Sequence, residues 1–242
     1  MTGTQYIANF ERFEKKYIMN TEQMQLLRPV LDSFMQPDLY PTSTNCSIYM
    51  DTEDHLLVRR SISKPDYKEK LRLRSYGTPG REDTVFLEIK KKTGGIVYKR
   101  RISLTASEAM DYLFHGIPPC NQGQIMKEID WMVKRYELRP SIMISYDRVS
   151  YAEITPSPNS LRITIDRNLR YRDTDLDLCH GDYGEPLTAP GTCLMELKTA
   201  RALPLPLLHA MSALHIRPIS FSKVGEAYQK IMTTDGSMSL AV

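Results

Sequence analysis

Several segments of this chain alternate charged and apolar residues, and most of the charged positions are cationic. Lys70, Arg72 and Arg74 alternate with leucines in KEKLRLR, while FLEIKKK and LMELKT each place a glutamate two residues before a lysine. Successive side chains of a β-strand point to opposite faces of the sheet. Each segment therefore predicts a strand with one charged face. One such strand is typical of a solvated surface, but five or more favour a closed sheet with a charged, hydrated interior.

The charged faces provide candidate ligands for a phosphate-rich anion. Arginine binds phosphate oxygens through a planar fork of donors, whereas lysine acts as a movable point charge. By the alternation, the candidates are Arg12, Glu14, Lys16, Lys70, Arg72, Arg74, Glu88, Lys90, Arg148, Arg162, Asp166, Glu196 and Lys198, with Lys223 following the last strand. The carboxylates have two uses: they can pair with the cations, or they can bind a hard divalent cation.

The segment IVYKRRISL offers cations to both faces of its strand. Arg100 shares its face with Ile96 and Ile102, which have the character of core residues. We therefore expect Lys99 and Arg101 to lie on the charged face. Tyr76 and Tyr146 fall on the same side of their strands as the basic positions, so a module that binds polyphosphate or RNA without turnover stays open.

Whole-chain properties restrict the class of protein. The 242 residues carry a net charge of only +3, although the basic strand segments alone exceed that value, so the rest of the chain is acidic. This distribution favours a focused positive site. The four cysteines lack C-x-x-C spacing, and the N-terminal segment lacks a signal-peptide apolar region. We expect a single soluble, cytoplasmic domain over 1–242, with its core at about 10–232 and a frayed C-terminal tail.

Periodicity and end signals predict a strand-rich order without βαβ alternation. The expected strands are 10–18, 46–51, 68–76, 84–92, 96–104, 141–153, 160–172 and 194–199. The expected helices are 20–35, 52–62, 105–116, 124–136, 203–214 and 222–232. Thr93-Gly94-Gly95 and Ser157-Pro158-Asn159 carry turn signals, and the acidic, Gly/Pro-rich segment 173–193 is expected to be a loop.

These segments in order resemble the VTC domain, the polyphosphate polymerase domain named for the vacuolar transporter chaperone. The domain belongs to the triphosphate tunnel metalloenzyme (CYTH-like) superfamily. The resemblance runs from about residue 10 to residue 232. Its motifs are FERFEKKYIM, SIYMDT, KEKLRLRSYG, FLEIKKK, VYKRR, SYDRVSY, LRITIDRNLR, LMELKT and RPISFSK.

The resemblance implies an α+β fold: an eight-stranded antiparallel β-barrel, the triphosphate tunnel, with helices packed outside. It implies a metal-dependent polymerase that transfers the γ-phosphoryl group of ATP to inorganic polyphosphate. The implied phosphate-binding catalytic residues are Lys16, Arg72, Arg74, Lys90, Arg148, Arg162, Lys198 and Lys223. Further substrate contacts would be Arg12, Lys70, Lys99, Arg101 and Tyr146. Glu196 would hold Mn²⁺ or Mg²⁺, with Glu14, Glu88 and Asp166 as further metal, water or cation partners.

One departure bears on the reaction. The superfamily often opens with E-x-E-x-K, but here the first position is Arg12, followed by Glu14 and Lys16. This change removes a possible ligand for a second metal ion. It therefore argues against a purely hydrolytic function and agrees with the polymerase members of the superfamily. A hydrolase of tripolyphosphate or nucleoside triphosphates remains the alternative. We expect a stand-alone bacterial type that binds ATP and polyphosphate, not nucleic acid. The chain has no membrane segment, and a separate membrane partner is left open.

Overall fold

The computed structural model describes residues 13–94, 96–120, 123–155 and 160–234. The strands are β1 (Phe13–Met19), β2 (Met35–Asp51), β3 (Lys68–Tyr76), β4 (Thr84–Thr93), β5 (Ile96–Thr105), β6 (Arg139–Glu153), β7 (Arg162–Arg172), β8 (Glu185–Pro186), β9 (Cys193–Thr199) and β10 (Pro218–Ile219). The helices are α1 (Thr21–Asp32), α2 (Leu56–Ile62), α3 (Ala106–His115), α4 (Gln124–Tyr136), α5 (Leu205–Ala213) and α6 (Lys223–Thr234). None of the helices in this part of the chain is long and apolar enough to cross a membrane.

The predicted α+β class is confirmed, with two corrections to the predicted barrel. The hydrogen-bonded strand order is β10-β1-β9-β7-β6-β2-β3-β4-β5, with β8 beside β7, and registered neighbours such as β3 and β4 are antiparallel. Among the described residues this nine-stranded path does not close on itself. The strand count exceeds eight because β8 and β10, each only two residues long, join the eight long strands.

The chain divides into two compact units, each built from separate segments. Of the described residues, the first unit comprises 13–42, 149–155, 160–166 and 191–220, and the second comprises 43–94, 96–120, 123–148, 167–190 and 221–234. In the first, Leu27 and Leu31 of α1 pack with Ile163 of β7 and Leu197 of β9. In the second, the buried face of β3 and β4, which includes Leu73 and Leu87, packs with residues of α3 and α4. Each unit therefore has its own core, and the prediction of one domain stays a prediction.

Local signals in the sequence explain where the helices begin and end. The Asn20 side-chain oxygen accepts a hydrogen bond from the Gln23 backbone N–H at 2.7 Å, and the Gln23 side-chain oxygen accepts one from the Asn20 backbone N–H at 2.9 Å. Thr105 and Glu108 form the same reciprocal capping box at the start of α3. Gly116 ends α3 with φ at +69°, a left-handed conformation that glycine adopts without steric cost.

The predicted short strand at 46–51 is only the second half of β2, which begins at Met35. Pro37 and Pro41 lie in the first half, and they obscured it because proline lacks the amide that a central strand donates. The other expected strands and helices are present within the described residues, with ends shifted by a few positions. The predicted turn at 157–159 and the tail beyond 234 lie outside the described residues.

The predicted loop at 173–193 is ordered by one buried arginine in the second unit. The Arg172 guanidinium donates to the carbonyl oxygens of Asp175, Asp177, Gly181 and Tyr183 at 2.8–3.0 Å. Its plane also lies over the Tyr183 ring, 4.2 Å from the centroid. A charged donor stabilises a carbonyl more strongly than a neutral one does. Arg172 therefore supplies four hydrogen bonds to a segment whose regular pieces before β9 are a 3₁₀ turn at Leu178–His180 and the short strand β8.

A substitution at Leu87 tests how much the apolar face of β4 contributes to the stability of the strand that carries the charged face. The Leu87 side chain is fully buried, so Leu87→Ala should lower the free energy of unfolding by about 2–5 kcal/mol, the usual range for a core leucine. Leu39→Ala is the control, because Leu39 is 82% exposed. Urea denaturation followed by circular dichroism measures both. Equal effects of the two substitutions would contradict this account of the core.

Candidate functional site

One charged face lies on β3, β4 and β5 of the second unit, and its rows follow from the strand register. Arg72 stands opposite Glu88, which in turn stands opposite Arg101. The next row brings together Lys70, Lys90 and Lys99. The face therefore holds one row with a carboxylate at its centre and one row of cations alone.

Glu88 is the carboxylate on which the first row depends. Its side chain is 1% exposed and accepts a hydrogen bond from the Arg72 Nε at 2.8 Å. The Lys99 Nζ lies 2.7 Å from its other oxygen, and the nearest Arg101 nitrogen lies 4.0 Å away. Burial alone would raise the pKa of Glu88, but Arg72, Lys99 and Arg74 outweigh burial and lower it to about 2. Glu88 is therefore ionised throughout the physiological pH range.

These ion pairs bear on the prediction that Glu88 holds a metal ion. Two of its immediate partners are full positive charges at hydrogen-bonding distance. A divalent cation would have to displace them, so the surroundings favour Glu88 as a counter-ion for the arginines and lysines. The same contacts agree with the expectation that Lys99 and Arg101 face this side. Arg100 faces away and pairs with Glu128 of α4 at 3.1 Å.

The lysine row has a different electrostatic character. Residues directly opposite each other on antiparallel strands have their Cβ atoms about 4.5–5.5 Å apart, and like charges there repel. Lys70 also donates to the Ser222 hydroxyl at 3.2 Å, which fixes its position without neutralising its charge. Although Lys99 also reaches Glu88, three ammonium groups are neighbours in this row, and a bound anion would reduce the repulsion between them.

Tyr49 of β2 completes the arginine row, and sequence reasoning missed it. It stands opposite Arg72, whose Nη1 lies 3.3 Å from the Tyr49 hydroxyl. Burial raises the pKa of Tyr49, but Arg72, Arg74 and Lys70 together lower it to about 7. Tyrosine is common in strands, so its type gave no signal. Its register position opposite a basic residue is the signal that could have identified it.

A second group of cations surrounds Tyr146 of β6. The Arg74 Nη2 donates to the Tyr146 hydroxyl at 3.2 Å, and its Nε donates to the Ser47 hydroxyl at 3.1 Å. The Lys223 ammonium lies 4.5 Å from the centre of the Tyr146 ring, and the Arg148 guanidinium lies 5.2 Å from it. The negative face of an aromatic ring attracts such cations. Four predicted site residues are thus brought together within the second unit.

The other charged face lies on β1 and β9 of the first unit. Lys16 stands opposite Glu196, and Glu14 stands opposite Lys198. The Lys16 ammonium is 3.8 Å from Glu196 and 3.9 Å from Glu14, and the Lys198 ammonium is 3.5 Å and 3.7 Å from the same two carboxylates. Each of these separations exceeds the 2.7–2.9 Å usual for a charge-assisted hydrogen bond. The four groups form a loose alternating set that a ligand could rearrange.

This donor set suits a magnesium-like ion that shares its ligands with a substrate. Magnesium is commonly held by one or two carboxylates plus substrate phosphates. Glu196 is buried and Glu14 is partly exposed, so the two carboxylates could provide that partial ligand set. In the described part of the chain, no three His, Cys, Asp or Glu side chains cluster to hold a metal by themselves. Most of the ligands would have to come from the substrate and from water.

β7 adds the remaining predicted residues of the first unit. Arg162 stands opposite Lys198 and pairs with Asp38 of β2 at 2.7 Å, a partner that the sequence did not indicate. Asp166 is fully buried on the same side of β7 as Arg162. Arg12 lies outside the described residues. Its role and the metal roles of Glu196, Glu14 and Asp166 stay predictions.

Taken together, the described elements define a mostly antiparallel sheet protein of the α+β class with a charged sheet face in each unit. The sequence gives the family: residues 11–232 match the VTC domain, and the chain belongs to that family. The chain is also similar to the vacuolar transporter chaperone complex subunit 4 of Trypanosoma cruzi, at 27% identity over 168 residues. That match covers 57% of this chain and 20% of the relative, so the chain corresponds to about a fifth of the relative's length.

Solved structures with more distant sequences resemble the chain weakly. A Bacillus halodurans protein assigned as an adenylate cyclase is 15% identical, with 96% of this chain and 95% of that one covered and a TM-score of 0.47. A Hippeastrum protein studied as an adenylyl cyclase, which reveals a dominant triphosphatase activity, is 13% identical, with coverages of 94% and 97% and a TM-score of 0.45. The Mimivirus capping enzyme triphosphatase is 10% identical, with coverages of 86% and 90% and a TM-score of 0.36. The family assignment rests on the sequence match.

Tyr49 generates a prediction that needs no catalytic assay. In the empty protein a tyrosine should ionise near pH 7, and Tyr49→Phe should remove that step from a near-ultraviolet absorbance titration. Tripolyphosphate should raise the pKa, because it neutralises the cations that stabilise the phenolate. Between about pH 7 and pH 10 the native phenol has lost its proton and the unfolded one has not, so wild-type stability relative to Tyr49→Phe should rise with pH. A titration unchanged by Tyr49→Phe would contradict the assignment.

Proposed function

We propose that this chain is a metal-dependent polyphosphate polymerase, which transfers the γ-phosphoryl group of ATP to the end of an inorganic polyphosphate chain and releases ADP. Membership of the VTC domain family supports a function on polyphosphate or triphosphate. The cytoplasmic location, the partners ATP and polyphosphate, and a requirement for Mn²⁺ or Mg²⁺ are parts of the same proposal.

The observation that carries the proposal is the pair of rows on β3, β4 and β5. The lysine row lies next to the row in which Glu88 holds Arg72. A linear phosphate chain carries its charges at regular intervals, so it can meet an extended cationic face at several points. An isolated phosphate would not need a face of this extent. The arrangement therefore favours a polyanion over a single phosphate group.

The residues suit phosphoryl transfer between two anions. The terminal oxygen of the chain forms a bond to the γ-phosphorus, the bond from that phosphorus to the β–γ bridging oxygen breaks, and ADP leaves with that oxygen. The attacking oxygen is already anionic, so no strong base is required. The arginines and lysines reduce the repulsion between donor and acceptor and hold them in line. A bound divalent ion would add Lewis-acid neutralisation of the phosphate oxygens, with Glu196 and Glu14 as its candidate protein ligands.

A product assay tests the reaction directly. The purified chain is incubated with ATP and Mn²⁺, with and without a chelator, and the products are separated by gel electrophoresis and chromatography. Long polymer together with ADP, lost on chelation, is the expected result. Orthophosphate without polymer would overturn the polymerase in favour of a hydrolase. Tight binding of polyphosphate without turnover would overturn it in favour of a binding module.

Arg72→Ala should abolish polymer formation, because it removes the guanidinium that Glu88 and Tyr49 position. Arg100→Ala is the matched control: Arg100 lies on the opposite face of β5, so the variant should retain polymer formation. Circular dichroism should show that both variants remain folded. If Arg72→Ala does not fold, Arg72→Lys provides a milder substitution at the same position. Equal activity of Arg72→Ala, Arg72→Lys and the wild type would show that Arg72 has no role in polymer formation.

Neighbouring lysines on β4 provide a binding test that is independent of turnover. Lys90 belongs to the charged face, whereas Lys91 pairs with Glu128 of α4 at 2.7 Å on the other side. Lys90→Met should weaken tripolyphosphate binding by about tenfold, corresponding to roughly 1.4 kcal/mol for one phosphate contact. Lys91→Met should leave it unchanged. Isothermal calorimetry at fixed ionic strength measures both, and equal losses would indicate a diffuse charge effect instead of a site.

A further inference from the structure

The charged face of β3 and β4 ends in two aromatic rings that the phosphate chemistry does not use. Tyr76 follows Lys70, Arg72 and Arg74 on the same side of β3, and Phe86 stands opposite Arg74. The Tyr76 and Phe86 ring centroids are 5.9 Å apart at an interplanar angle of 67°. This edge-to-face contact is favourable, and it fixes both rings at the end of the basic rows.

Arg101 joins the two rings to form a small platform. Its guanidinium lies 4.6 Å from the centre of the Phe86 ring, so it covers part of that ring. Tyr76 is 54% exposed and the Arg101 side chain is 48% exposed, which leaves surface of both groups open to a ligand. Aromatic rings and arginine planes are the two surfaces on which nucleobases stack in single-strand binding proteins.

The platform lies in line with the phosphate-binding candidates. A strand rises about 3.4 Å per residue, so Arg74 is about 7 Å and Arg72 about 14 Å along β3 from Tyr76. In a nucleoside triphosphate, the aromatic base lies at one end, the sugar follows, and the three phosphates extend in a line from the sugar. The order along β3, an aromatic group and then two guanidinium groups, matches that order of groups in the nucleotide.

We propose that Tyr76, Phe86 and Arg101 form a stacking site for the nucleobase of the nucleoside triphosphate donor, with its phosphates directed toward Arg74 and Arg72. This proposal rests on the proposed function, because it names the part of that face which holds the donor's base. Stacking uses the π-face that every base has, so the site should accept adenine and guanine with similar affinity. Tyr76 would therefore increase the affinity for a nucleotide donor but not for a phosphate chain, which lacks a base.

The test compares two ligands that share the phosphates and differ in the base. Isothermal calorimetry measures binding of ATP and of tripolyphosphate to the wild type, to Tyr76→Ala and to Tyr98→Ala. Tyr98 is the matched control, because it is 53% exposed and stands opposite Lys91 on the other face of the sheet. We expect Tyr76→Ala to weaken ATP binding by about tenfold and to leave tripolyphosphate binding unchanged, since stacking on one aromatic side chain commonly has an effect of this order.

Each remaining outcome identifies which proposal fails. Tyr76→Phe should restore ATP affinity, because it keeps the ring, and Tyr98→Ala should bind both ligands like the wild type. If Tyr76→Ala lowers the affinities for ATP and tripolyphosphate equally, or changes neither, the stacking site is refuted while the phosphate face stands. If the wild type binds neither ligand, the proposed function itself fails. A preference for ATP over GTP above tenfold would refute recognition by stacking alone.

Discussion

The ionised carboxylate of Glu88 is the group that allows several cations to share one face of the sheet. Removing a charged group from water is costly unless it finds a partner of opposite charge, and the Glu88 side chain is only 1% exposed. Glu88 offers one oxygen to Arg72 and the other to Lys99, and the pairs keep its own pKa near 2. The face can therefore remain folded when no ligand neutralises it.

The arginine row and the lysine row of this face differ in how their charges are balanced. The row with Glu88 places one carboxylate between two guanidinium groups. In the lysine row the cross-strand neighbours carry like charges and Lys99 reaches across to Glu88, so a bound anion would reduce the repulsion there. Tyr49 lies beside the arginine row and responds to the same cations through its lowered pKa.

Alternation was enough to predict which face each strand residue occupies. It separated Lys99 and Arg101 from Arg100, because Ile102 marks the buried side of β5. Capping signals were equally local: the side chains of Asn20 and Thr105 begin helices through contacts within three residues. These features depend on near neighbours in the chain, which the sequence displays directly.

Features that depend on distant pairing were not predictable from the sequence. The ion pair between Asp38 and Arg162 joins residues of β2 and β7, and nothing near either residue indicates the other. The first half of β2 was missed because its prolines contradict a strand assignment when neighbouring strands are unknown. The open sheet of ten strands likewise depends on which strand edges pair, whereas alternation shows only which side of one strand is charged.

Arg172 shows that a basic residue in this chain need not serve a ligand. Its donors are directed at four main-chain carbonyls, which a single lysine ammonium with three donors could not satisfy in the same geometry. Exchange between arginine and lysine should therefore be tolerated over evolution where a point charge suffices, as at Lys90, and be excluded at position 172. Homologous chains would then vary in basic residue type along the sheet face while keeping this one guanidinium.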